Sequence, residues 1–99
     1  MQNYGFDIDK ISETCARYKV EKLYLFGSHA KGTFNPNSDF DFLVFFKPIE
    51  LLDYADNFFE LNYALEKIVG TKVDLVSGKS LKNPYFIKEV DATKLLIYG

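Results

Sequence analysis

Five residues of this 99-residue chain have types and spacing that could do chemistry: Gly27, Ser28, Asp39, Asp41 and Asp74. In "LYLFGSHAKGTFNPNSDFDFLVFF", residues 23–46, a Gly-Ser turn ends one apolar run. Ten residues after Ser28, an Asp-Phe-Asp pair opens the next run. A strand, a tight turn and a short helical start present backbone N–H groups beside a hydroxyl, a combination that cradles phosphate. If the second run pairs beside the first, strand alternation puts Asp39 and Asp41 on one face near that cradle. Two carboxylates so placed repel and hold their protons more tightly unless a cation lies between them. Magnesium suits the position, because it takes oxygen from one or two carboxylates and from substrate phosphates. The plainer reading has Ser38 and Asp39 capping a turn and Asp41 ending in solvent; turn, spacing and strand context together weigh against it. Asp74, in the apolar "KVDLV", is a costly choice unless it is paired, hydrogen-bonded, on a metal or at a strand edge.

The elements that must position these groups follow from periodicity. Residues 7–18 read as a helix with Asp7 as N-cap and Ile8, Ile11, Cys15 and Tyr18 on one stripe. Residues 23–26 form a short strand, Ala30 and Lys31 a brief helical turn before Gly32, and residues 33–38 a loop by composition. Along residues 39–46, Asp39, Asp41, Leu43 and Phe45 share one face and Phe40, Phe42, Val44 and Phe46 the other, so the strand is expected to be covered on both sides. Residues 51–69 read as a long helix ended by Gly70. Its expected seam is Leu51, Ala55, Phe58, Asn62, Leu65 and Val69, flanked by Leu52 and Phe59 on one side and by Tyr54, Leu61 and Ile68 on the other. That arc covers about half the helix, wider than the ~100° one sheet contact needs, and calls for a neighbouring helix or another chain. A third strand spans residues 72–76, a loop residues 77–80, and a last helix starts at Pro84 and reaches about Asp91. Residues 95–98 read as a short apolar tail.

Composition bounds the rest. Ninety-nine residues, 47% of them hydrophobic, are expected to form a single domain, 1–99, with its own core. The ten Phe and seven Tyr fit an aromatic-rich core, or a partner surface. The single Cys15 cannot make an intrachain bridge, and the lone His29, read as a surface residue, has no cluster of ligand partners. A net charge of -2 argues against direct nucleic-acid binding. With no signal peptide and no apolar run near ~20 residues, a soluble, cytoplasmic protein with no membrane partner is expected.

The order and spacing of the initial helix, "LYLFGS", "SDFDFLV", "KVDLV" and "NPYFIKEV…LLIY" resemble the minimal nucleotidyltransferases of the polymerase-beta-like superfamily. More narrowly, they resemble the MNT proteins, antitoxins paired with HEPN-domain toxins. The resemblance covers almost the whole chain. It implies an α/β (α+β) fold with a palm-like nucleotidyltransferase core, a small mixed β-sheet with helices packed on it. It implies that Asp39 and Asp41 hold one or two Mg2+ ions bridging a nucleoside triphosphate. Asp74 would complete the site and orient or deprotonate the attacking hydroxyl. Gly27 would allow close backbone approach, and Ser28 and Ser38 would hydrogen-bond the phosphates. Lys31 stands where the family very often has arginine; lysine binds phosphate as a point charge without the bidentate fork.

The implied activity is transfer of AMP from ATP to a tyrosine hydroxyl of a cognate HEPN ribonuclease toxin. A chain this small is expected to borrow acceptor recognition from a partner, a second copy or the acceptor itself. Two other readings stand beside this one. The first is an antitoxin that blocks its toxin sterically without catalysis. The second is a nucleotidyltransferase acting on a small-molecule hydroxyl such as an antibiotic.

Overall fold

The computed structural model describes residues 6–32 and 39–99. Helix α1 (Ile8–Arg17) starts where expected, because Oδ1 of Asp7 accepts from the backbone N–H groups of Asp9 (3.0 Å) and Lys10 (3.3 Å). Strand β1 (Val20–Phe26) leads into the single turn α2 (Ser28–Lys31). The expected loop over residues 33–38 lies outside the described residues. Strand β2 (Phe40–Phe46) follows, then the long helix α3 (Leu51–Val69). Gly70 stops α3 in the left-handed region, φ +80°, where its N–H donates to the Glu66 carbonyl. Strand β3 (Val73–Ser77) and a 3-10 turn (Gly78–Ser80) precede helix α4 (Pro84–Thr93), capped by Oδ1 of Asn83. Strand β4 (Leu95–Tyr98) ends the chain's regular structure.

The four strands form one mixed sheet in the order β3-β2-β1-β4. β1 runs antiparallel to both β2 and β4, and β2 runs parallel to β3. The parallel pair needs a long crossover, which the 19-residue α3 supplies. On one face, Phe40, Phe42 and Val44 of β2 join Leu23, Leu25, Val73 and Leu75 under Ile11 and Cys15 of α1 and Leu61 and Leu65 of α3. On the other, Leu43 and Phe26 pack with Val90 of α4, and Phe45 and Phe86 lie beside them. β2 is thus covered on both faces, as its sequence predicts. Cys15 is fully buried in the first core, and burial pushes its thiol up to about 12.

Three local expectations change. Residues 95–98 are a strand, not a tail, because four apolar residues meet the open edge of β1, with Leu25 opposite Leu95. β1 begins at Val20, three residues early. A bulge beside Glu21 lets Val20 and Leu23, three apart, reach the same core, which strict alternation does not allow. The seam of α3 is rotated from its expected centre. Leu61 and Leu65 are fully buried, with Tyr54, Phe58 and Ile68 beside them, whereas Leu51 is 87% and Leu52 93% exposed. The C-terminal end of α1 meets α3 beside that buried stripe, where Asn57 Nδ2 donates to the Tyr18 carbonyl at 2.7 Å. Asn62 remains on the inner side, its Oδ1 buried with no hydrogen-bond partner among the described residues.

Candidate functional site

The site begins where β1 stops. Gly27 holds φ +75°, a left-handed conformation that L side chains rarely adopt, and α2 starts at the next residue. Phe26 lies opposite Asp41 in the β1–β2 ladder, which brings the Asp41 side chain over the bare Cα of Gly27. A Cβ on Gly27 would collide with Asp41 Oδ2 and stand 3.2 Å from its Cγ. Gly27 is therefore needed twice, for the turn and for the room it leaves a carboxylate.

The parallel pairing of β2 and β3 sets Asp41 directly opposite Asp74. Both line the same cavity, on the face that carries α4. Asp39 is exposed, one residue before β2, and Phe40 beside it donates its N–H to the Lys72 carbonyl at 3.2 Å. Asp41 is half-buried, and its carboxyl is held above the ordinary carboxylate value, first by burial, then by the charge of Asp74, then by that of Asp39. His29 works against that rise. The fold thus gathers the three aspartates singled out from the sequence around Asp41.

Among the described residues, no three His, Cys, Asp or Glu side chains form a ready-made metal cage. Magnesium does not need one, since it completes its shell with substrate phosphates and water. The donor set fits such an ion: hard oxygens, with like charges that already disfavour ionisation of Asp41 and that a cation would offset.

The cavity beside Asp41 and Asp74 measures about 240 Å³. Its apolar wall is Phe26 from β1 with Phe86 and Val90 from α4, and Glu89 and Thr93 stand on its rim. These α4 residues were not singled out from the sequence. The signal was there, since Phe86, Glu89, Val90 and Thr93 share one helical face. The strand end that this face covers depends on the tertiary fold.

Ser28 and Lys31 lie in α2, directly after Gly27. Ser38 lies outside the described residues. His29 is not the simple surface residue expected. It is half-buried, and its ring stacks on Phe40 with centroids 3.7 Å apart and planes 14° from parallel. The sharp turn at Gly27 starts α2 beside the first residue of β2, which puts the imidazole over that ring.

No helix of the described residues is long and apolar enough to cross a membrane. The model of the nucleotidyltransferase domain matches residues 8–96. MJ1379 of Methanocaldococcus jannaschii, provisionally named a protein adenylyltransferase, is 41% identical over 75 residues, covering 76% of this chain and 74% of that protein. A solved structure provisionally described as a minimal nucleotidyltransferase is 34% identical, with a TM-score of 0.69 over 89% of this chain and 86% of that one. A crystal structure of a toxin–antitoxin with AMP-PNP contains a chain 26% identical, with a TM-score of 0.73 over 94% of this chain and 73% of that one. The small mixed sheet, its helices and the sequence match agree: this chain belongs to the nucleotidyltransferase domain family.

Proposed function

We propose that the chain is a magnesium-dependent protein adenylyltransferase of the antitoxin kind, transferring AMP from ATP to a tyrosine hydroxyl of a cognate HEPN toxin. The observation that carries this reading is the placement of Asp41 opposite Asp74, against the turn at Gly27. Family membership, the adenylyltransferase name of its M. jannaschii relative and the likeness to a toxin–antitoxin chain crystallised with AMP-PNP support it. The apolar Leu51, Leu52 and Phe59 that α3 leaves exposed suit a protein acceptor better than a small molecule.

In this reaction the acceptor oxygen forms a bond to the α-phosphorus of ATP. The bond from that phosphorus to the bridging oxygen of the β-phosphate breaks, and pyrophosphate leaves with the electron pair. Asp74 orients the acceptor hydroxyl and receives its proton. Gly27 allows the phosphates close to the backbone, Ser28 and Ser38 hydrogen-bond them, and Lys31 adds a point charge. Asp39 and Asp41 would hold magnesium, which when bound supplies positive charge to the triphosphate. The remaining contribution of the chain is alignment of the two substrates.

The test is to incubate the protein with its co-purified partner, magnesium and ATP, and to weigh the partner by mass spectrometry. The expected result is a mass increment of one AMP or a whole multiple of it, lost when Asp39→Asn and Asp41→Asn are combined. Modification that survives the double substitution sinks the assignment of these carboxylates. A partner silenced by both proteins and modified by neither establishes steric neutralisation instead.

A further inference from the structure

Helix α2 has four residues, too few to hold its place by its own hydrogen bonds. What fixes it relative to β2 is therefore tertiary. Two of its side chains show how. Ala30 packs against the first core, and His29 lies face to face with Phe40, centroids 3.7 Å apart. Phe40 is itself well anchored. It is 6% exposed, meets Phe6 edge-on at 5.6 Å and Phe42 in parallel at 6.2 Å, and its N–H reaches Lys72 of the β3 side. His29 thus caps an aromatic column rooted in the core.

The position of Phe40 in the chain gives this stack its meaning. Phe40 stands between Asp39 and Asp41, and its ring points to the face opposite the carboxylates. A grip on Phe40 therefore holds the carboxylate-bearing end of β2 from behind and leaves the site open. We infer that His29 is a positioning residue for the proposed reaction: stacked on Phe40, it locks the turn at Gly27 and Ser28 to the strand end that carries Asp39 and Asp41. The inference rests on the reaction proposed above. Its opposing influence on the carboxyl of Asp41 agrees with this proximity. The plainer alternative is that His29 only shields Phe40 from water, a task any side chain of similar area could do.

The experiment compares His29→Ala, His29→Phe and His29→Leu with the wild-type chain. Amide hydrogen exchange is read at residues 39–41 and, as a control, at residues 44–46. The KM for magnesium-ATP and the kcat of AMP transfer to the partner are read separately, together with magnesium-ATP binding by calorimetry. Loss of one aromatic pair predicts a roughly three- to tenfold acceleration of exchange at residues 39–41 and a similar rise in KM for His29→Ala, with residues 44–46 unchanged. His29→Phe, which keeps a flat ring, restores both; His29→Leu, which only covers, does not. Equal rescue by Leu and Phe overturns the proposal in favour of simple shielding, and so does unchanged exchange at residues 39–41 in His29→Ala. If exchange responds as expected but no form binds magnesium-ATP or transfers AMP, the clamp stands. The reaction, and with it the role in positioning, is then what fails.

Discussion

Asp41 and Asp74 face one another across the parallel β2–β3 pair, and the cost of that arrangement falls on Asp41, the half-buried member. Its folded pKa lies above the ordinary 3.8 of the free side chain. The folded state therefore keeps the proton to higher pH than the unfolded chain does. No charging penalty exists below the unfolded value; the penalty grows as pH rises from there through the folded pKa and is complete above it. Asp41→Asn should raise Tm at about pH 7 in the absence of divalent cations, with the gain disappearing below about pH 3.8. Thermal melts across that range, with and without magnesium and ATP, check this. The wild type should gain from the ligands and the variant should not.

Gly27 and Gly70 share a left-handed backbone, at φ +75° and +80°, but not the same surroundings. A Cβ at Gly70 meets nothing within 4 Å, whereas one at Gly27 runs into the Asp41 carboxylate. Gly70→Ala should cost only the conformational strain, about 1–2 kcal/mol, or several degrees of Tm in a domain of this size. Gly27→Ala should lose at least as much stability and, in addition, the stabilisation by magnesium-ATP that Gly70→Ala retains. Equal nucleotide-dependent shifts in the two variants would remove Gly27 from the site.

Asn62 buries a carbonyl oxygen that finds no donor among the described residues, on the side of α3 that meets the core. Replacing such a group by an apolar one of similar shape removes its desolvation cost. Asn62→Leu should therefore stabilise the fold by about 1 kcal/mol, or ~4–8 °C in Tm, without changing AMP transfer. A fall in Tm would mean that the leucine does not fit.

Much of this architecture was legible because it is local. The period-two alternation of β2, apolar on both faces, announced a strand covered on two sides; Asp7 marks the start of its helix by side-chain hydrogen bonding, and Gly70 the end of its helix by the left-handed backbone it tolerates. What was not legible depends on partners distant in sequence. Four apolar residues at 95–98 do not say which strand edge they will meet. The wide apolar arc of α3 was compatible with several rotations, and packing against the sheet and α1 together selected one, leaving Leu51 in solvent. Asp41 and Asp74 were nameable as carboxylates, but their direct opposition follows from the register of β2 on β3. The wall that α4 contributes, and the ring that His29 lays on Phe40, are set by packing and carry no local signature.

Cys15 is the chain's one thiol, sealed in the first core and kept protonated by burial. An alkylating reagent attacks the thiolate, so in the closed molecule it finds almost nothing to react with. Labelling must then wait for the packing around Cys15 to open, and its rate under native conditions meters that opening. The wild-type protein thus carries a built-in clock for its own breathing, placed behind β2 and clear of the carboxylates, with no probe to be engineered.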